Sequence, residues 1–171
     1  FLGIYRKSKN EVYLQISERA ILASSYSIFL AFFCLLNELL VSNFNLQYVA
    51  QYTSYETPVF FKVTALWAGQ AGSLLFWSFI TALFTVTYIF TTLRKMKRLK
   101  FHSFLIISFI YSFFIILSSF IANPFEPVSS DIIVQNGNGL NPLLQNFFMA
   151  IHPPILYVGF TGSAIIFVMA L

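Results

Sequence analysis

Residues 101–122 read FHSFLIISFIYSFFIILSSFIA, and no aspartate, glutamate, lysine or arginine interrupts them. A helix needs about 20 mostly apolar residues to cross the ~30 Å hydrocarbon layer of a membrane. Lipid offers no water to hydrogen-bond exposed backbone groups, so a helix is the expected form of such a segment. This stretch therefore predicts a transmembrane helix and decides the class of the protein.

The composition of the whole chain excludes a water-soluble domain. Apolar types make up 58% of the 171 residues and charged types 9%, against about 45–50% and about 25% in soluble domains. Intrinsic disorder needs the opposite composition, polar and highly charged. The length is typical of one domain, and we predict a single membrane domain over 1–171. Cys34 is the only cysteine, which excludes an intrachain disulfide and a CxxCH haem-attachment motif.

Three more windows have the length and apolar content of a membrane helix, which predicts an all-α polytopic membrane protein with about four transmembrane helices. The four predicted spans are 21–41, 73–93, 101–122 and 151–171. Nine of the ten basic residues precede the first span or lie between the second and third, and only Lys62 lies elsewhere. Basic residues mark the cytoplasmic or matrix face. The connections 42–72 and 123–150 are therefore predicted to be the outer loops, and the basic cluster indicates topology, not nucleic-acid binding.

The outer loops are predicted to carry interfacial helices. Residues 60–67 can lie flat at the headgroups, and the small residues 68–73 can form the turn into the second span. Small residues permit close helix packing or close approach of a ligand to the backbone, and the residues alone favour packing. Residues 11–20 are predicted to lie along the inner interface. Glu38 is either a functional acid at membrane depth or an acid solvated at the headgroups.

The second outer loop ends in His152-Pro153-Pro154. Proline is favoured in the first turn of a helix and holds the preceding residue extended, so His152 is predicted to precede the fourth helix, outside its helical faces. The nearby helix dipole disfavours imidazolium, and a metal ligand requires the neutral ring. Zinc would need three or four protein ligands, whereas haem iron needs one or two. The composition thus permits His152 to bind haem, and the alternative interpretation of His152 is a plain polar cap at the interface. We assign that second interpretation to His102.

The sequence contains no nucleophile–base pair, paired carboxylates, phosphate-binding loop or HExxH motif. On its own it has little with which to act as an enzyme.

Four motifs, in matching order and spacing, resemble the CcmF family, the haem lyase of cytochrome c maturation. They are KVTALWAGQAGSLLFW at 62–77, NPF at 123–125, GLNPLLQ at 139–145 and IHPPILY at 151–157. The resemblance extends from about residue 19 to the end, and the LNPLLQ–HPP part is its most specific element. The chain resembles an N-terminal portion of such a protein, as in mitochondria where the family protein is divided among polypeptides, or a piece of a longer chain.

The resemblance implies that haem is the cofactor handled, and that the chain is part of a haem lyase, incomplete as an enzyme by itself. Members of the family take haem from a membrane-anchored haem chaperone and join it to apocytochrome c, together with other haem-lyase subunits or segments. His152 matches the HPP histidine, an outer axial ligand of haem. The implied location is the mitochondrial or bacterial inner membrane. The haem-pocket or partner surface would include Trp67, Gln70, Asn141, Pro142, Pro153, Pro154 and Tyr157.

The sequence departs from the family pattern in ways that support an alternative. A His-Glu pair common in the family's WGxHEGS turn reads Gln70-Ala71 here, and Trp67 and Trp77 are the only tryptophans, so the tryptophan-rich haem-binding motif is absent from these residues. The second outer histidine and the membrane-embedded haem ligands are absent as well. These departures favour a structural or assembly subunit of a mitochondrial respiratory membrane complex that binds no haem.

Overall fold

A computed structural model of the protein describes residues 2–4, 11–96, 99–129 and 134–170. Within these ranges the regular structure is helical, and the one β pairing is an isolated bridge between Leu46 and Pro127. The α-helices are α1 (Glu11–Val41), α2 (Gln47–Tyr52), α3 (Val59–Thr64), α4 (Gln70–Tyr88), α5 (Lys100–Ile116) and α6 (Phe147–Ala170). One π-helical turn extends α4 to Leu93 and another extends α5 to Ile121. Four of these helices are long and apolar enough to cross a membrane, which confirms the predicted fold class.

All four long helices begin before the predicted spans, and α1 and α6 do so by four residues or more. α1 starts at Glu11 and runs for 31 residues without a break, so residues 11–20, which were predicted to lie along the inner interface, continue the helix of the first span. At 1.5 Å per residue it is about 46 Å long and exceeds the hydrocarbon thickness. α6 starts at Phe147 instead of residue 151. The cause is Asn146, whose side-chain oxygen accepts a hydrogen bond from the Phe148 N–H at 2.9 Å and caps the helix.

Helix α4 lies at the centre and packs against α1, α5 and α6. Half of its apolar window is buried inside the protein, whereas the corresponding share for α6 is 11%. Hydroxyl groups add polar links between the long helices: Ser25 bonds Tyr111 at 2.7 Å, and Tyr88 bonds Ser103 at 3.1 Å. The four-helix arrangement therefore covers α4 and leaves most of α6 uncovered.

One end of the bundle, here called the basic end, carries an ion-pair cluster. Glu18 of α1 accepts a hydrogen bond from Lys100 at 2.7 Å and lies 3.7 Å from the Arg94 guanidinium. The Arg94 guanidinium also covers the Phe90 ring at 4.0 Å. These contacts tie α1 to the connection between α4 and α5.

At the opposite end the described residues of the two long connections, 42–69, 122–129 and 134–146, form one layer, here called the loop layer. Backbone hydrogen bonds join them in two places. Gln47 donates to the Glu126 carbonyl at 2.9 Å, and Gly139 donates to the Thr53 carbonyl at 3.1 Å. The Asn136 side chain adds bonds to the Tyr55 N–H and to the Glu56 carboxylate. The sequence motifs separated along the chain are thus brought together on this layer.

Candidate functional site

His152 lies inside α6, at its sixth residue, and roughly 7.5 Å along the axis from its start. The prediction that it precedes the helix and belongs to no helical face is wrong, because the Asn146 cap starts the helix nearly two turns before the prolines. His152 nevertheless stays at the loop-layer end of α6. Its side chain is exposed, and its imidazole has no hydrogen bond or ring contact to any residue that the structure describes.

Pro153 and Pro154 interrupt the backbone hydrogen bonding of α6. Proline has no N–H, so the carbonyls four residues earlier, those of Met149 and Ala150, lose their helical donors. The Trp67 indole N–H donates to the Ala150 carbonyl at 3.0 Å and replaces one of the two missing bonds. This bond joins the loop layer to the first turns of the helix that carries His152.

The side of α6 that carries His152 faces away from the bundle. Ala150 is only 3% exposed, and two residues correspond to about 200° of rotation around a helix axis. His152 therefore stands opposite the buried side. Its neighbours on that side of the helix are exposed and mostly apolar: Phe148, Ile155, Leu156 and Gly159. We call this surface, with His152, the His152 face. A Cβ added at Gly159 would meet nothing within 4 Å, so the surface there is open.

Trp67 and Tyr157, two predicted site residues, meet through an aromatic cluster between α4 and α6. Phe76 lies between them, with ring centroids 5.0 Å from Trp67 and 5.7 Å from Tyr157. The Trp77 ring also packs against Tyr157, with ring centroids 5.5 Å apart. These rings pack against one another. Trp67 and Tyr157 therefore act in packing α6 against α4 in this structure.

Asn141 and Pro142 build a turn that leads into α6. The Asn141 side chain accepts from the Leu143 N–H at 3.0 Å, and Pro142 begins a single 3₁₀ turn. Gln145 then closes the segment by donating to the Leu140 carbonyl at 2.7 Å. The LNPLLQ motif thus sets the path of the chain just before the helix cap. Neither of its predicted site residues is in hydrogen-bond contact with His152.

Gln70 lies at the first turn of α4 and lines a polar cleft of about 250 Å³ together with Gln47, Gln51, Asn123 and Glu126. His152 is not among the residues of this cleft. The predicted site residues therefore belong to several separate local structures, and the described part of the chain does not gather them around His152.

Tyr48 explains the run of small residues at 68–73. Its buried hydroxyl donates to the Ala65 carbonyl at 2.8 Å and accepts from the Gly69 N–H at 3.1 Å. Burial raises the pKa of Tyr48 above its ordinary value. A Cβ at Gly72 would collide with this hydroxyl and with the Leu66 carbonyl. The small residues permit close packing, the interpretation that the sequence favoured, and sequence reasoning missed Tyr48 as their partner.

The two charged groups predicted near this end are satisfied within the loop layer. Glu38, in the last turn of α1, accepts a hydrogen bond from the Asn43 side chain at 2.6 Å. Lys62 is buried and donates to the Ser42 hydroxyl at 2.6 Å. Ser42 has a positive φ of 57°, the conformation that commonly ends a helix. Glu38 therefore lies where α1 ends, hydrogen-bonded to the start of the loop layer, and its two interpretations, a functional acid at membrane depth or an acid solvated at the headgroups, stay predictions.

The motifs around Trp67, Asn141 and His152 fall inside a region with known relatives. The sequence profile described as "Cytochrome C assembly protein" matches residues 67–171. The chain belongs to this family. No solved structure shows a significant match to the chain. The family membership confirms the resemblance that the four motifs predict.

Individual relatives in the cytochrome c assembly family agree with this assignment. The cytochrome c-type biogenesis protein NrfE of Haemophilus influenzae is 36% identical over 131 residues, which cover 77% of this chain and 20% of the relative. CcmF of Escherichia coli is 30% identical over 141 residues, with coverages of 82% and 22%. CcmF of Haemophilus influenzae is 28% identical over 145 residues, with coverages of 85% and 22%. The chain spans about a fifth of the length of these relatives.

The residues of the His152 face fit one side of a haem. The face offers a free imidazole, and an axial ligand of haem iron needs no more from the protein than such a nitrogen. The exposed apolar side chains of Phe148, Ile155 and Leu156 suit a porphyrin plane, and the space beside Gly159 is open. The face does not enclose a ring of that size. The residues therefore fit haem as one wall of a site, with a single ligand.

Proposed function

We propose that this chain takes part in cytochrome c maturation by presenting His152 as an outer axial ligand to haem in transit toward apocytochrome c. The observation that carries the proposal is the free, exposed imidazole at the loop-layer end of α6, on an apolar and uncovered helix face. Membership of the cytochrome c assembly family supports it. So do the printed names of the relatives, which are cytochrome c-type biogenesis proteins.

The chain contributes orientation to this function. A rigid helix presents the imidazole at a defined depth and angle, and holding reactants in place is itself a large part of catalysis. The bound haem supplies the vinyl groups that react. The second wall and the second ligand of the site come, in this proposal, from other haem-lyase subunits or segments, from a membrane-anchored haem chaperone, or from apocytochrome c.

The proposed location is the inner membrane of a mitochondrion or bacterium, with the basic end facing the matrix or cytoplasm. Arg94, Lys95 and Lys100 lie at the basic end, and Lys62 at the opposite end is buried. Such an asymmetry of lysine and arginine is the main determinant of membrane orientation. The loop layer and His152 would then lie on the side where cytochromes c are assembled.

A second candidate is a structural or assembly subunit of a respiratory membrane complex that binds no haem. The specific observation in its favour is that Trp67, Tyr157 and Asn141 are engaged in packing and turn formation. Gln70-Ala71 in place of the family's His-Glu pair also favours it. In this case the uncovered side of α6 would serve protein contacts alone.

Replacing His152 by alanine separates the two candidates. We expect the yield of holo-cytochrome c to fall by about tenfold or more, since losing only a hydrogen-bond partner of a metal ligand already costs about 10–100-fold in affinity or activity. The amount of protein in the membrane should stay constant, because the His152 side chain has no partner in the described chain.

His102 provides the matched control, since it is the other histidine of the chain and lies exposed at the basic end. His102→Ala should leave the yield unchanged. A normal yield with His152→Ala, together with an unchanged haem absorption spectrum of the purified assembly, would favour the structural candidate.

A further inference from the structure

We propose that Trp67 is a positioning residue for His152: its indole N–H supplies the hydrogen bond that Pro154 removes from α6 and so fixes the side of the helix on which His152 stands. This inference rests on the proposed function of His152 for its consequence in haem binding. Its geometric content, the link from Trp67 to the rotation of α6, can be tested without haem.

The first turns of α6 lack a backbone hydrogen-bond donor for the Ala150 carbonyl. The Ala150 carbonyl would accept from residue 154 in an uninterrupted helix, and that residue is proline. Ala150 is buried, so water does not readily replace the missing donor, and a buried carbonyl without a partner is costly. The Trp67 indole N–H at 3.0 Å fills this vacancy. This bond therefore satisfies a helix carbonyl, a role beyond the packing that a buried tryptophan ordinarily provides.

Trp67 is itself held from two further directions. Its carbonyl accepts from the Ser73 hydroxyl at 3.0 Å, and its ring packs on Phe76 at 5.0 Å. Phe76 lies on α4, the central helix. A donor that is anchored in this way can define where its acceptor sits. The position of the start of α6 is thus set by contacts with α4, the most buried of the four long helices.

The rotation of α6 translates directly into the position of His152. Consecutive prolines weaken the coupling between the first turns and the rest of a helix, and kinks concentrate at such sites. The His152 side chain ends roughly 5–6 Å from the helix axis, so a 20° rotation of the first turns moves the ring by about 2 Å. A shift of that size is enough to misplace an axial ligand, since productive sites are held to within about 0.5 Å.

A distance measurement between two nitroxide labels tests the geometry. In the full chain with Cys34→Ser, labels are attached at His152→Cys and at Gln51→Cys, an exposed position on the short helix α2 of the loop layer. We expect a narrow distance distribution in this parent. Trp67→Phe, which keeps a ring against Phe76 but has no N–H, should broaden the distribution or shift it by about 2 Å.

Two further variants make the test specific. Pro154→Ala returns a backbone N–H to position 154, so the double variant Trp67→Phe, Pro154→Ala should recover the narrow distribution. Trp77→Phe is the matched control, because Trp77 packs on Tyr157 but its indole N–H has no hydrogen bond in the described chain; it should leave the distribution unchanged. An unchanged distribution in Trp67→Phe would overturn the inference, and so would a double variant as broad as Trp67→Phe.

Titration with hemin, with His152 and Gln51 unsubstituted, tests the consequence. The absorption spectrum of the bound haem in Trp67→Phe should move in the direction seen with His152→Ala, with affinity reduced by about tenfold, and Pro154→Ala should reverse the change. If His152→Ala leaves the spectrum as it was, the proposed function fails, and the label distances alone decide the role of Trp67. If His152→Ala changes it and Trp67→Phe does not, the positioning role in haem binding is overturned.

Discussion

Replacing Tyr48 by phenylalanine should destabilise the loop layer by an amount that its hydrogen bonds determine. The side chain is 6% exposed, and its hydroxyl satisfies the Ala65 carbonyl at 2.8 Å and the Gly69 N–H at 3.1 Å. Phenylalanine keeps the ring contact with Tyr52 but leaves the buried Gly69 N–H without this partner, and it removes one of two bonds to the Ala65 carbonyl, which still accepts from the Ala68 N–H at 3.2 Å. An unsatisfied buried group costs about 1–3 kcal/mol and a lost hydrogen bond about 0.5–1.5 kcal/mol. Allowing for partial relaxation, we expect the free energy of unfolding to fall by about 2–4 kcal/mol.

The same residue predicts a pH dependence with a definite sign. Burial raises the pKa of Tyr48 above its ordinary value, so the folded protein holds the phenolic proton more tightly than the unfolded chain does. The stabilisation is complete below about pH 10 and is lost as the pH rises above it, because only the unfolded chain then releases the proton. The stability gap between the wild type and Tyr48→Phe should narrow by about 1.4 kcal/mol per pH unit above pH 10.

Unfolding in detergent micelles, followed by far-ultraviolet circular dichroism at pH 7 and between pH 10 and 11, measures both effects. Tyr55→Phe is the matched control, since Tyr55 belongs to the same layer, is 63% exposed and has no hydroxyl hydrogen bond to the described residues. It should change stability by less than about 0.5 kcal/mol. Equal losses of stability in Tyr48→Phe and Tyr55→Phe would refute the reasoning. So would a stability difference between the wild type and Tyr48→Phe that does not narrow above pH 10.

Three further substitutions test other parts of the structure by the same unfolding measurement. Gly72→Ala should cost about 1–3 kcal/mol because the new Cβ has no room, whereas Gly159→Ala should be neutral or stabilise by up to about 1 kcal/mol; similar values would contradict this. Ser25→Ala removes the 2.7 Å bond to Tyr111 and should cost about 0.6–1.7 kcal/mol, with a null result arguing against the contact. Glu18→Gln breaks the ion pair at the basic end and should cost about 1 kcal/mol at low salt and less at high salt. A loss of stability that does not depend on salt would contradict an ion-pair contribution.

The membrane class and the approximate spans could be predicted because they depend on local quantities. The apolar length of residues 101–122 is readable without knowing any contact, and it matches a helix that runs from Lys100 to Ile121. Helix starts were harder. The Asn146 cap competes with the Pro153-Pro154 signal for the beginning of α6, and the capping bond to Phe148 prevailed. A polar side chain at the right place can thus outweigh a proline signal nearly two turns later.

The features of the candidate site also divide into those that the sequence predicts and those that depend on packing. That His152 lies at the loop-layer end follows from its position beside a span, and the family follows from the spacing of motifs. The connection of Trp67 to Ala150 does not, because it joins residues 83 positions apart and no local rule selects that donor. The splitting of the predicted pocket residues among a turn, a cleft and an aromatic cluster likewise depends on how α6 packs against α4.

By itself, the amino-acid order determined that this chain has four helices long and apolar enough to cross a membrane, approximately where those helices lie, and to which family the chain belongs, since hydropathy and motif spacing are properties of neighbouring residues. Only the tertiary structure decided which side of α6 is buried, that Tyr48 requires the small residues of the turn, and that a tryptophan from the loop layer satisfies the carbonyl freed by Pro154. These outcomes depend on long-range packing and hydrogen-bond satisfaction, which are settled when the helices meet.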